Sequence, residues 1–260
     1  MDPRGPVYTR PLVERTVTAN GIGQRLFETG AGEPVVLLHG GLGSSEDWAD
    51  QRPALAERFR VIAYDRRGHG RTAATPEPFD YDVMTADAVA LLDELGLARA
   101  RLVGFSDGGI VALLVALRRP DLVGRLVLIG ANTRPDGLEP RMRGRLESSD
   151  AASYPERYRV AFERLSPDGP DAWPAAFAQT RRLWLEEPHI TEEQLATVAA
   201  PTLVVAGDRD LIAPEHTVAL FRALPRTARL AIVPGAGHDL PREQPALLNQ
   251  LLLAFLSESG

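Results

Sequence analysis

Seven short apolar runs alternate with longer amphipathic stretches along this chain: Gln24–Glu28, Val35–His39, Arg60–Tyr64, Ala100–Phe105, Arg125–Ile129, Thr202–Ala206 and Arg229–Val233. Runs rich in β-branched residues and leucine, with little polar alternation, suit strands covered on both faces. The intervening stretches carry helix signals. Ser44 and Ser45 stand as N-caps before a helix over Asp47–Glu57. A helix over Tyr81–Leu95 stops at Gly96, one over Asp107–Arg119 stops before Pro120, and one over Pro214–Leu224 opens on proline. A last helix spans Pro241–Leu256. This repetition predicts an α/β fold, a mostly parallel sheet with helices on both faces. Ligands of such sheets bind beyond the carboxyl ends of the strands.

The rhythm fails once. From Thr133 to Ala200 no strand is evident, and the stretch is rich in Arg, Glu, Pro and aromatic residues. A structureless loop of that length is improbable, so it reads as a helical cap inserted on top of the sheet. The core is then 1–132 plus 201–260, with 133–200 as the cap. Such a cap supplies substrate-selecting apolar surface; Trp173 and Trp184 are its candidate substrate-binding residues, with Leu42 and Asp107 from the core.

Composition narrows the chemistry. The chain has no cysteine, which excludes disulfides, thiol nucleophiles and thiolate metal sites. It has no lysine either: all 29 basic residues are arginine, so a lysine Schiff base or phosphate-loop lysine is impossible. The net charge is −6 with acids and bases interspersed, and no basic block points to nucleic acid or an anionic membrane. The first residues, MDPRGPVYTRPLVERTV, lack the apolar core of a signal peptide, and no apolar run is long enough to span a bilayer. The expectation is a cytoplasmic protein, a monomer or homodimer, without nucleic-acid or membrane partners.

The strongest chemical signal is Gly104-Phe105-Ser106-Asp107-Gly108, where a predicted strand meets a predicted helix. This is the nucleophile elbow in its required context. The serine stands on a sharp, strained turn, small neighbours avoid clashes, and the helix N-terminus aims backbone N–H groups at developing negative charge. A second signal, His39-Gly40-Gly41-Leu42-Gly43, follows the strand ending at Leu38. There a backbone N–H, that of Gly41 before that of Leu42, pairs with the N–H of Asp107 as an oxyanion hole. His39 reads as structural, because a better base lies downstream. That base is His238, on the loop after the last strand, where a neutral imidazole suits proton transfer at neutral pH. Two aspartates, Asp208 and Asp210, follow the strand Thr202–Ala206. Asp210, further past the strand end, is favoured to orient the histidine, and Asp208 to cap the turn. His69 falls in a turn, and His189 and His216 read as surface or cap residues. No cluster has metal-ligand spacing, and no dinucleotide fingerprint follows a strand; no cofactor is expected.

The motifs HGGLGSSEDW, AYDRRGHGRT, GFSDGG, AGDRDLIAP and GAGH, in this order, resemble the α/β-hydrolase fold superfamily over nearly the whole chain. The resemblance implies an eight-stranded sheet, with Thr16–Ala19 as the extra edge strand, and a lid after the sixth strand. Within it the chain is similar to cap-bearing serine hydrolases: the amino-acid-ester hydrolases of the valacyclovir-hydrolase (biphenyl-hydrolase-like) type, and the bacterial carboxylesterases and perhydrolases. In the former the acid after the nucleophile receives the substrate's ammonium group, and the matching residue is Asp107. An acid in a first helical turn is also favourable by itself. The resemblance therefore implies a hydrolase of small carboxylic esters, with α-amino acid esters as one variant. Two alternatives stand beside it. One is C–C bond or enol-lactone hydrolysis, which arginines of the insertion (Arg141, Arg143, Arg145, Arg181, Arg182) would favour. The other is a non-catalytic binding protein of the same fold.

Overall fold

The computed structural model describes residues 12–258; the segment read above for a signal peptide lies, through residue 11, outside them. The chain opens with an antiparallel pair, β1 (Val13–Ala19) and β2 (Ile22–Gly30), then β3 (Pro34–Leu38), α1 (Arg52–Ala56), β4 (Arg60–Tyr64), α2 (Tyr81–Glu94), β5 (Ala100–Phe105), α3 (Asp107–Arg118) and β6 (Val123–Ile129). Four helices follow: α4 (Pro140–Ser148), α5 (Glu156–Leu165), α6 (Trp173–Glu186) and α7 (Glu192–Leu195). The chain returns through β7 (Thr202–Gly207), α8 (Pro214–Ala223), β8 (Arg229–Val233), α9 (Leu240–Glu243) and α10 (Pro245–Leu256). The eight strands form one sheet in the order β1-β2-β4-β3-β5-β6-β7-β8. β1 and β2 are antiparallel to their neighbours, and all the other pairings are parallel.

The strand runs are apolar throughout because alternate residues feed two separate cores. Val36, Leu38, Ile62, Tyr64, Leu102, Leu126 and Leu128 face α2, α3 and α8. Their neighbours Val35, Leu37, Val61, Ala63, Val103, Val127 and Ile129 face α1 and α10. α3 is buried along almost its whole length, as suits a helix directly beneath the site.

Two helix extents differ from the sequence expectation. The helix expected over Asp47–Glu57 is a 3-10 turn at Ser45–Trp48 followed by α1 from Arg52; the proline at 53 starts a new helix instead of continuing one. The expected Pro241–Leu256 helix breaks at Gln244, again before a proline. Within 133–200, Leu183, Ile190, Leu195 and Val198 pack into the same apolar cluster as α2 and α3, whereas Phe162, Trp173, Ala176 and Phe177 form a separate small cluster with Leu42. No helix among the described residues is long and apolar enough to cross a membrane.

Candidate active site

The carboxyl ends of β3, β5, β6 and β7 and the loop after β8 converge under α4–α6. At the end of β5, Ser106 holds φ 52° and ψ −122°, a left-handed backbone that costs a serine roughly 1–3 kcal/mol. The turn is held by Ser106 N–H donating 2.8 Å to Ile129 O, and by Gly109 N–H donating 2.8 Å back to Ser106 O. The corner closes only because Gly108 has no Cβ: one would collide with the Leu38 carbonyl. The Ser106 hydroxyl does not cap α3. It lies 3.0 Å from His238 Nε2, and His238 Nδ1 lies 2.6 Å from Asp210 Oδ1. The same Asp210 oxygen accepts from Ile212 N–H at 3.0 Å. Asp208 turns away and accepts from Gly235 N–H at 2.8 Å, tying down the loop that carries the histidine. Burial would depress the pKa of His238, but the adjoining charge of Asp210, its hydrogen bond and the fields of Asp239 and Asp107 outweigh burial and raise it above the ordinary imidazole value.

Asp107 opens α3, so its N–H is one of those an α-helix leaves without an intrahelical acceptor. Gly41 lies across from it on the loop after β3. A Cβ at Gly41 would come within 2.6 Å of the Trp184 ring, so only glycine brings this backbone so close to the elbow. Leu42 does not reach the main cavity; it packs among the aromatics of the cap.

The Asp107 side chain lines the cavity beside the nucleophile. Oδ1 accepts from Tyr81 Oη at 3.0 Å and from Trp184 Nε1 at 2.9 Å. Oδ2 is buried without a partner, and the residue is only 2% exposed. Its pKa is raised by burial, against the pull of Arg66 and of its two donors. One carboxylate oxygen thus clamps helix α2, the nucleophile helix and the cap together, while the other faces Gly41 in the cavity lining. Trp184 lines the cavity, but Trp173 does not: it is 3% exposed in the cap cluster, its Nε1 donating 2.9 Å to Ala151 O.

The cavity holds about 280 Å³. One wall is apolar, formed by Leu138, Met142, Leu146, Leu211 and Ile212. A charged part of the lining carries Asp47, Arg157, Asp239, Arg242 and Glu243. Of the arginines expected to matter in the insertion, Arg141, Arg143, Arg145, Arg181 and Arg182 are all absent from the lining.

Several histidines and one arginine have places that sequence patterns do not show. His39 is fully buried, its Nε2 accepting from Arg66 N–H at 3.1 Å. Burial pushes the pKa of His39 well down and that of His69 down to about 3, so both are neutral framework. His216 is buried, not on the surface, and accepts from Thr133 N–H at 3.0 Å; His189 is exposed. Arg66 is buried against the Gly40 carbonyl, donating 2.9 Å to it. Tyr81 and Asp239 are further cavity residues that carry no motif signal. Among the described residues no cluster of His, Cys, Asp or Glu could hold a metal ion.

Residues 35–251 match the model of the alpha/beta hydrolase family, and the chain belongs to that family. It is a hydrolase by this kinship. It is 34% identical over 248 residues, 85% of this chain and 90% of the relative, to a protein of Caulobacter sp. named "Putative carbamate hydrolase RutD". Among solved structures it is similar to a meta-cleavage product hydrolase from Pseudomonas fluorescens IP01, with TM-score 0.79 and 27% identity over 95% of this chain and 98% of that one. A thermophilic esterase from Thermogutta terrifontis gives TM-score 0.74 and 28% identity, again over 95% and 98% of the two chains.

Proposed function

We propose that this protein hydrolyses small carboxylic esters through an acyl-enzyme on Ser106. The observation that carries the reading is the aligned Ser106–His238–Asp210 chain, at 3.0 and 2.6 Å, opening into a cavity with an apolar wall sized for a short acyl group. Ser106 Oγ attacks the carbonyl carbon as His238 Nε2 takes its proton, and Asp210 holds the imidazole tautomer and stabilises the imidazolium. The N–H groups of Gly41 and Asp107 receive the oxyanion. Collapse breaks the C–O bond, and the departing alcohol takes the proton from His238. Water then attacks the acyl-enzyme with His238 again as base, releasing the acid and Ser106.

Two variants of this reading have less support. An α-amino acid ester needs an open acid for its ammonium; Asp107 lines the cavity, but its Oδ1 is held by Tyr81 and Trp184 and the residue is only 2% exposed. A carboxylate-bearing C–C substrate needs cavity arginines; Arg242 is paired with Asp47 at 2.6 Å, which leaves Arg157. The test compares p-nitrophenyl 3-methylbutanoate, the p-nitrophenyl ester of valine and a vinylogous 1,5-diketone. Turnover of the first at least equal to the second, with loss in Ser106→Ala, is expected. Preference for the diketone, or full activity in Ser106→Ala, overturns the proposal.

A further inference from the structure

The charged part of the cavity lining bears on the alcohol half of an ester, and this inference rests on the esterase reading above. With the carbonyl oxygen between Gly41 and Asp107, the oxygen that leaves must face His238 Nε2, which protonates it. The leaving alcohol therefore lies on the histidine side, where the charged residues that follow His238 in the chain line the cavity. The first of these, directly after the base, is Asp239.

Asp239 occupies the N-cap position of α9, yet its side chain makes no capping hydrogen bond. It is half-buried, lines the cavity, and among the described residues its carboxylate has neither hydrogen-bond nor ion-pair partner. Three of the wall's other charges are engaged: Arg242 holds Asp47 at 2.6 Å, and Glu243 accepts from Gly237 N–H at 2.5 Å. Arg157 lies over the Tyr158 ring, donating to its hydroxyl at 3.1 Å, and feels the field of Asp239. Asp107, the acid nearest the nucleophile, has its Oδ1 held by Tyr81 and Trp184. We infer that Asp239 is a specificity-determining residue that selects leaving alcohols carrying a cationic group, of the amino-alcohol class. The alcohol's positive end sits against the Asp239 carboxylate as its oxygen takes the proton from His238.

The probe pair is butyrylcholine and 3,3-dimethylbutyl butyrate, which have the same shape and the same acyl group and differ by a quaternary nitrogen in place of a carbon. A half-buried carboxylate meeting a cation supports roughly a five- to tenfold preference in kcat/KM for the choline ester. In Asp239→Asn that ratio should collapse to near unity, and in Asp239→Glu it should persist. The ratio is read within each variant, so any change in the base itself cancels. A wild-type ratio at or below unity, or a ratio untouched by Asp239→Asn, overturns the inference. So does a preference for the butyryl ester of 3-hydroxypropanoate, which would assign the wall to Arg157 and to anions. Hydrolysis of p-nitrophenyl butyrate by the same preparation separates the two levels. If that ester is turned over while the choline ratio is flat, only the role of Asp239 fails; if neither ester reacts, the esterase reading fails and takes this inference with it.

Discussion

At the scale of single residues, His238 sets the working range. It acts as a base only when neutral, so the rate rises as pH climbs through its pKa. Despite burial, the field and hydrogen bond of Asp210 raise that pKa, so the acid limb of kcat/KM lies above the value of a free imidazole. In Asp210→Asn the carboxylate that favours the imidazolium is gone. We expect kcat to fall by about ten-thousandfold and the acid limb to move to lower pH, both read from a pH–rate profile on p-nitrophenyl butyrate. Linkage has the matching sign: the stability that the charged pair contributes is complete below the pKa of the unfolded histidine and is lost as pH rises through the folded one.

At the scale of elements, the strand–helix corner and the cap clamp are separable. Gly108→Ala drives a methyl into the Leu38 carbonyl and should cost about 1–3 kcal/mol in urea unfolding, with activity lost beyond what the unfolded fraction explains. Trp184→Phe keeps the ring in the cavity but deletes the donor to Asp107. It should cost about 1–3 kcal/mol in urea unfolding, the scale of a buried acceptor left without its donor, and any accompanying loss of kcat/KM should fall on every ester alike. The corner was legible in the sequence because a nucleophile elbow is local: a strand, a serine, flanking glycines and a helix start all fall within a few residues. The histidine and Asp210 were legible as loop residues at strand ends. The clamp was not, because Tyr81, Asp107 and Trp184 lie 26 and 77 positions apart and none has a pattern that reveals its partners. The same holds for Trp173. An aromatic in a helical insertion looks alike whether it faces a substrate or its own cap, and the contacts with Phe162 and Phe177 decide between them. The two false helix joins arose where a proline inside an amphipathic stretch restarts a helix.

At the scale of the whole molecule, charge networks join parts that the apolar cores leave apart. Arg67 is bound by two hydrogen bonds of 2.7 Å to Asp87 of α2. Asp87 also accepts from Asn20 in the β1–β2 turn at 2.7 Å. The side chains of this pair are 6% and 4% exposed, so removing one leaves the other charge buried and alone. Arg67→Met should therefore cost about 3–5 kcal/mol of folding stability, measured by urea unfolding at neutral pH. Between cap and core, Arg164 of α5 and Arg71 both reach Glu46. These two hydrogen-bonded arginines hold its pKa down to about 2, so the contact persists until strongly acid pH. Its partners are largely solvated, and Glu46→Gln should change stability by no more than about 1 kcal/mol.

The Trp184–Asp107 hydrogen bond ties the roof of the cavity to the nucleophile helix: the indole that encloses the site also donates to the acid beside the serine. Tyr81 of α2 donates to the same oxygen. Whatever moves α6 therefore reaches the elbow through a single side chain, without passing through the sheet.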